Sequence, residues 1–285
     1  MDINYELYKV FYHVAAALSF SEASKQLFIS QSAVSQSIKT LENKLDQTLF
    51  IRSTKRVQLT PEGEILMRHI EPAMHLIQRG DALSTGGQIR IGASDTICRY
   101  FLVPYLEKFH KAFPNAHIKV INQTSIKCVE LLELGQVDLI VVNYPNSYLS
   151  NVSSIKKIKT FQDVFIANQS FSDLKDKKLS YGQLAQYPIL MLDKQSTTNE
   201  FLHRLFQQHQ LDLIPEIELT SNDLLMDLAR IGLGIAFIPD YCINDNLNNL
   251  FIVETEEELP ERELVIAYNE QIPLSRATQE FLNYF

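Results

Sequence analysis

Ser32, Ser35, Gln36 and Lys39 recur at intervals of three, one and three residues. At about 100° per residue, that spacing gathers them on roughly a third of one helix's circumference. Such a face can read the edges of nucleic-acid bases. A glutamine bonds adenine bidentately, a serine serves several bases, and a lysine reaches a phosphate or a guanine. Gln31, just ahead, adds a second amide. Across the same helix Val34, Ile38, Leu41 and Leu45 step by four, three and four, an apolar stripe that has to be buried. Taken alone, a polar face opposite an apolar one is the ordinary surface of an amphipathic helix, so its neighbours decide what it means.

Those neighbours are specific. Ser19 followed by Glu22 reads as a capping box that opens one helix, and Ser30 supplies an N-cap for the next, so the chain must turn sharply between Phe28 and Ser30. Beyond Leu45, Leu49-Phe50-Ile51 and Val57-Gln58-Leu59 read as two brief strands around a tip that holds Arg52, Lys55 and Arg56. From Lys39 to Arg56 five basic residues stand against two acidic ones. The tip supplies sequence-independent attraction to phosphates while the helix reads sequence. Upstream, Leu7, Val10, Phe11, Val14 and Leu18 predict a first helix that packs behind the reader.

A second set of polar residues falls where strands give way to helices. Ser94 ends a strand at 88–94 with Thr96 just beyond it, Thr124 and Ser125 follow one at 117–122, Ser196 to Thr198 follow 189–192, and Ser221 with Asn222 follow 217–219. Further strands at 138–142, 163–167 and 236–238 alternate with helices, which predicts parallel α/β sheets in two lobes. Ligands bind at such strand ends, where helix N-termini offer unpaired amides. Any one of these hydroxyls is more simply an N-cap. Their convergence from two lobes on one cleft is what favours a ligand.

Between the two sets, Pro61-Glu62 open a helix to about Leu83, with Ile65, Leu66, Ile70, Ala73 and Ile77 at helical intervals. Pro72 should kink or interrupt it. Its stripe needs a surface, either the chain's own body or a second copy. Ser84-Thr85-Gly86-Gly87 reads as a linker.

Composition narrows the function classes. A chain of 285 residues with 46% hydrophobic content should form two or three domains. No run approaches the ~18 apolar residues of a membrane span, and Asp2, Asn4 and Glu6 replace any basic leader, so a cytoplasmic protein is expected. The seven histidines show no metal-binding spacing, and nucleotide-loop and nucleophile-elbow motifs are missing, so neither an enzyme nor a cofactor or metal is expected. Gly232 and Gly234 read as a tight helix-to-strand turn. Three cysteines suggest no disulfide framework, although Cys98 and Cys128, each one turn into a helix, leave a thiol-based redox response as an alternative. The net charge of −8 is uneven: residues 1–87 hold nine basic and nine acidic residues, so the whole acidic excess lies beyond them. A neutral, locally basic reader is joined to an acidic body.

The segment from Leu7 to Gly63 resembles the winged helix-turn-helix of LysR-type transcriptional regulators. Ser19-Phe20, Ser30-Gln31, Ala33-Val34-Ser35, Leu41-Glu42, Leu49-Phe50 with Arg52, and Leu59-Thr60 with Gly63 carry the likeness. Many relatives have Pro where this chain has Ser32 and Arg where it has Gln36, so base preferences do not carry over. From about Gln88 onward, IRIGAS, LELGQVDLIVV and LARIGLGIAFIP resemble the family's effector-binding domain, which has the type 2 periplasmic-binding-protein fold. The resemblance implies an α/β multidomain chain: a winged helix-turn-helix at 1–61, a dimerising linker helix and hinge at 62–87, and a two-lobed effector domain at 88–285. Lobe I would take about 88–160 and 268–285, lobe II about 161–267, with crossovers near Thr160–Gln162 and Ala267–Asn269. It implies base or backbone contacts from Gln31, Ser32, Ser35, Gln36, Lys39, Arg52, Lys55 and Arg56. Effector contacts would come from Ser94, Thr96, Thr124, Ser125, Thr198 and Ser221. The implied partners are double-stranded promoter DNA, a small-molecule effector, further copies of the chain as a dimer or tetramer, and RNA polymerase. A transport solute-binding protein would share the two-lobed half but not the reader.

Overall fold

In the computed structural model, α1 (Tyr5–Ala17) starts where the Asn4 side chain accepts the Glu6 N–H at 3.0 Å. The structure describes residues 3–52, 56–81, 87–151, 154–243, 247 and 249–285. The chain divides near Ser84 and Thr85 into two units.

In the first unit α2 (Phe20–Leu27), α3 (Gln31–Leu45), β1 (Phe50–Arg52), β2 (Val57–Leu59) and α4 (Pro61–Asp81) follow α1. Val10, Phe11 and Val14 of α1 meet Val34, Ile38 and Leu41 of α3 in one buried cluster, joined by Leu49 and Phe50. Leu18, expected on the α1 stripe, is instead the cap beyond the helix, half exposed in the left-handed region (φ 46°). The chain has only that residue in which to turn toward Ser19. Helix α4 runs through Pro72 without interruption. Proline removes one backbone hydrogen bond and crowds the preceding turn, while Leu66, Met67 and Ile70 pack on the α1–α3 core and hold the helix in place. Of the expected linker, residues 84–86 lie outside the described residues, and Gly87 has φ +89°.

The second unit contains two sheets. Strands β3 (Gln88–Ala93), β4 (His117–Asn122), β5 (Leu139–Tyr144) and β6 (Ser154–Phe161) belong to the first, interleaved with α5 (Asp95–Ile97), a π-helical turn at Cys98–Leu102, α6 (Val103–Ala112) and α7 (Ser125–Glu133). Next come β7 (Asp163–Asn168), β8 (Lys178–Leu179), α8 (Tyr181–Leu184), β9 (Ile189–Leu192), α9 (Thr197–Gln208), β10 (Ile217–Leu219), α10 (Asn222–Arg230), β11 (Ile235–Pro239) and β12 (Leu250–Thr255). The chain closes with β13 (Arg262–Tyr268) and α11 (Arg276–Leu282). The sheet orders are β4-β3-β5-β13-β6 and β10-β9-β11-β7-β12-β8.

Neither sheet is purely parallel, which corrects the sequence reading. β3 runs parallel to β4 and β5, but β13 is antiparallel to both β5 and β6. In the second sheet β9 is parallel to β10 and β11, whereas β7 is antiparallel to β11 and β12. The antiparallel members flank the two places where the chain changes sheet. It leaves the first at Gln162 and returns between 256 and 261, ahead of β13. The second crossover therefore precedes the expected Ala267–Asn269, because residues 262–267 are already paired in the first sheet.

The glycines of the RIGLGIAF segment have a structural reason. Gly232 adopts φ +82°, and a Cβ on Gly234 would lie 2.4 Å from the Pro188 carbonyl oxygen. They let α10 turn tightly into β11.

Candidate functional site

In the first unit, Ser19 Oγ accepts the Glu22 N–H at 3.2 Å, but the Glu22 carboxylate lies 3.5 Å from Lys25 Nζ. Ser30 Oγ accepts the Ala33 N–H at 3.2 Å and lies 2.9 Å from Ser32 Oγ. Between the two helices Phe28 takes a left-handed conformation (φ 55°), and its N–H bonds the Lys25 carbonyl. Its ring is 95% exposed. The sequence located this turn but not the aromatic ring it presents.

Gln31, Ser32, Gln36 and Lys39 are exposed on α3 and Ser35 is partly exposed. Ser32, Ser35, Gln36 and Lys39 line one open groove that continues to Glu42, Thr48 and Phe50. The opposite stripe is buried at Val34, Ile38 and Leu41, with Leu45 at its margin. Glu42 links this helix to the hairpin: its Oε1 accepts the Leu49 N–H at 2.8 Å and the Phe50 N–H at 3.3 Å. Thr60 completes the junction, donating its hydroxyl to the Thr48 carbonyl at 2.7 Å and accepting the Gly63 N–H at 3.0 Å. Arg52 ends β1 and Arg56, exposed, precedes β2. Lys55 lies outside the described residues.

In the second unit, Ser94, Thr96, Thr124, Ser125, Thr198 and Ser221 all line one cavity of about 470 Å³, within the ordinary range for small-molecule sites. The four helices α5, α7, α9 and α10 begin around it. Ser94, Thr124 and Ser221 serve as caps, accepting the N–H groups of Ile97, Lys127 and Leu224 at 3.2 to 3.3 Å. The other three brace the wall. Ser125 Oγ accepts the Asn143 N–H at 3.2 Å, and Thr198 Oγ1 accepts from Arg262 Nη1 at 3.1 Å. Thr96 Oγ1 accepts from Asn222 Nδ2 at 2.9 Å, a bond that joins the two lobes. Beside it the Tyr100 hydroxyl donates to Asp223 at 2.5 Å, and Arg99 lies 3.5 Å from the same carboxylate.

The sequence did not single out Asp193, Asn143 or Tyr241 in this cavity. Nor did it find the ion pair beneath it. Asp163, at the start of β7, and Arg262, at the start of β13, meet at 2.7 Å with both side chains fully buried. Arg262 Nη2 also reaches Thr197 Oγ1 at 3.3 Å, and its guanidinium lies over the rings of Phe161 and Phe201. Burial pushes the Asp163 carboxyl up, and the Arg262 charge pulls it back.

The Cys98 thiol donates to Asn122 Oδ1 at 3.3 Å and the Cys128 thiol to the Gln123 carbonyl at 3.5 Å, both in their protonated form. Burial, reinforced by Asp95, pushes Cys98 up to about 11, and burial with the neighbouring Cys98 pushes Cys128 up to about 12. Reactive cysteines show the opposite shift, which counts against the redox alternative.

Residues 5–64 match the family model described as bacterial regulatory helix-turn-helix protein, lysR family, and residues 82–285 match the LysR substrate binding domain. The HTH-type transcriptional activator CmpR of Synechocystis sp. is 26% identical, over 97% of this chain and 93% of its own. The crystal structure of full-length CbnR with its target DNA superposes with a TM-score of 0.67 at 17% identity, covering 99% of this chain and 98% of CbnR. The CcmR regulatory domain of Synechocystis PCC6803 in complex with 2-PG gives 0.63 at 21% identity, over 70% of this chain and 95% of that one.

Proposed function

Because this chain belongs to the LysR family of bacterial transcriptional regulators, we propose that α3 and the β1–β2 hairpin read double-stranded promoter DNA, and that a small polar or anionic metabolite between the lobes controls it. The observation that carries the DNA reading is the groove of Ser32, Ser35, Gln36 and Lys39, tied to the hairpin by Glu42. Gln31, Ser32, Ser35 and Gln36 read bases, while Lys39, Arg52, Lys55 and Arg56 hold phosphates. The named activity of CmpR and the DNA complex of CbnR support this assignment.

The ligand half of the proposal rests on the cavity in which six hydroxyl side chains from two lobes converge. The 2-PG complex of the CcmR regulatory domain supports it. The chain is organised as a reader at 1–61, a linker at 62–87 and an effector domain from 88. It acts in the cytoplasm as a binding protein without catalysis. No helix among the described residues is long and apolar enough to cross a membrane. On α4, Ile65, Leu76 and Ile77 are exposed apolar residues. They support pairing of two copies through this helix, and of dimers into tetramers, which sets two readers a whole number of helical turns apart. RNA polymerase is the further contact such a complex would make.

Genome-wide footprinting followed by anisotropy on the recovered site tests the reader. Gln36→Ala should weaken that site by about tenfold, the range of one bidentate base contact, with affinity for unrelated duplex unchanged. Equal loss on both duplexes would assign Gln36 to the backbone, and a footprint free of promoters would refute the regulatory reading.

A further inference from the structure

We propose that the ligand of the inter-lobe cavity bears an ammonium group and at most one negative charge, the pattern of a small amino acid or amino-substituted metabolite. This rests on reading the cavity as the ligand site and narrows its chemistry.

The first argument is charge. Among the described residues lining the cavity, the ionised side chains are Asp95 and Asp193, and none is Lys, Arg or His. Asp95 is largely exposed and lies 4.0 Å from Arg99. Asp193 accepts the Gln195 N–H at 3.0 Å, and no cation within ion-pair distance faces it among the described residues. The starts of α7, α9 and α10 offer partial positive charge, enough to favour one carboxylate. A dianion would meet no cationic side chain among the described residues of this lining and would enter beside two carboxylates.

The second argument is hydrogen-bond polarity. The cap hydroxyls of Ser94, Thr124, Ser196 and Ser221 accept backbone N–H groups, which leaves their O–H groups as donors for one carboxylate. Asn143 Oδ1 and Asn222 Oδ1 are buried acceptors without a donor, in side chains belonging to residues only 8% and 4% exposed. The Tyr241 hydroxyl is likewise buried and unpartnered. A buried acceptor left without a donor is unfavourable. An ammonium brings three donors and no acceptor, whereas a phosphate or dicarboxylate dianion brings only acceptors. At Asn143 Oδ1 and Asn222 Oδ1 the wall therefore lacks what an amine supplies.

Thermal shift and calorimetry on the full-length protein test this with the twenty L-amino acids, common biogenic amines, succinate, glycerol 3-phosphate and inorganic phosphate. An amine-bearing compound should bind, and the same acid without its amino group should not. Asp193→Asn should weaken binding at least tenfold, and Thr124→Trp, which fills the cavity, should abolish it. Asp193→Lys, at a partly exposed position of the lining, keeps the test alive should the tryptophan variant not fold, and should weaken the amine and admit succinate. A dianion whose binding is lost in Thr124→Trp would overturn the ligand class and leave the cavity reading intact. Amine binding untouched by every variant would place the ligand elsewhere and sink both. No binding by any amine in the panel would reject the class.

Discussion

Gly63 has no room for a methyl group. A Cβ there would stand 2.3 Å from the Leu49 carbonyl oxygen and 3.0 Å from Leu59, so Gly63→Ala must push the first turn of α4 away from the hairpin. The expected loss is about 1–3 kcal/mol, as for overpacking elsewhere, read as a lower urea midpoint. The thiols give a pH prediction. In the unfolded chain they titrate near 9, whereas the fold holds Cys98 at about 11 and Cys128 at about 12. Between those values the unfolded chain binds fewer protons, so stability is full below about pH 9 and falls as pH rises across that window. Denaturation midpoints at pH 8 and 10 should show this, and Cys98→Ala with Cys128→Ala should reduce the slope, leaving the share of Cys242, whose thiol burial also pushes up. At this scale the sequence was legible wherever a residue acts locally. Ser30, Ser94, Thr124 and Ser221 announce themselves because a cap bonds an N–H three residues on. Asn143 and Asp193 were not, because only the tertiary fold brings a β5 residue and a post-β9 loop to one cavity.

At the scale of elements, β6 and β13, which adjoin the sheet crossovers in the first sheet, escaped sequence reading, whereas β7 beyond the first crossover was read at 163–167. SIKKIKTF of β6 carries three lysines at the edge of its sheet and resembles a solvated loop. RELVIAY of β13 opens with a charge that looks like a surface residue yet is 1% exposed. Periodicity reports which face is buried, and a buried guanidinium violates the rule that it assumes. The pair it forms stands where both passages between sheets begin or end. Arg262→Met alone strands the Asp163 carboxylate and should cost about 3–5 kcal/mol. Adding Asp163→Leu should recover most of it, since an apolar pair avoids the desolvation of two ions. A urea-unfolding cycle of the two single variants and the double variant checks this. If the double variant is no more stable than Arg262→Met, the pair is needed for more than charge balance.

For the whole molecule, the uneven charge governs how the protein meets DNA. The chain carries −8 overall, but its acidic excess lies after residue 87, so in the proposed complex Lys39, Arg52, Lys55 and Arg56 would meet phosphates without that excess on their own domain. Two paired readers would neutralise roughly eight phosphates, which gives a slope of about −7 in a plot of log affinity against log salt. Lys39→Gln should make that slope shallower by about two, one contact per copy, measured by anisotropy between 50 and 200 mM salt, concentrations of about the usual range for such titrations. The reader has one more property. Glu42 and Thr60 fix the helix to its hairpin through backbone groups, and Gly63 seals the joint, while Ser32, Ser35 and Gln36 stand apart from it on the free face of α3. On the proposed reading, the parts that hold shape and the parts that hold meaning are thus different residues. If those three side chains read bases as proposed, a lineage, or an engineer, can rewrite the operator by changing them, with the scaffold that presents them left as it is.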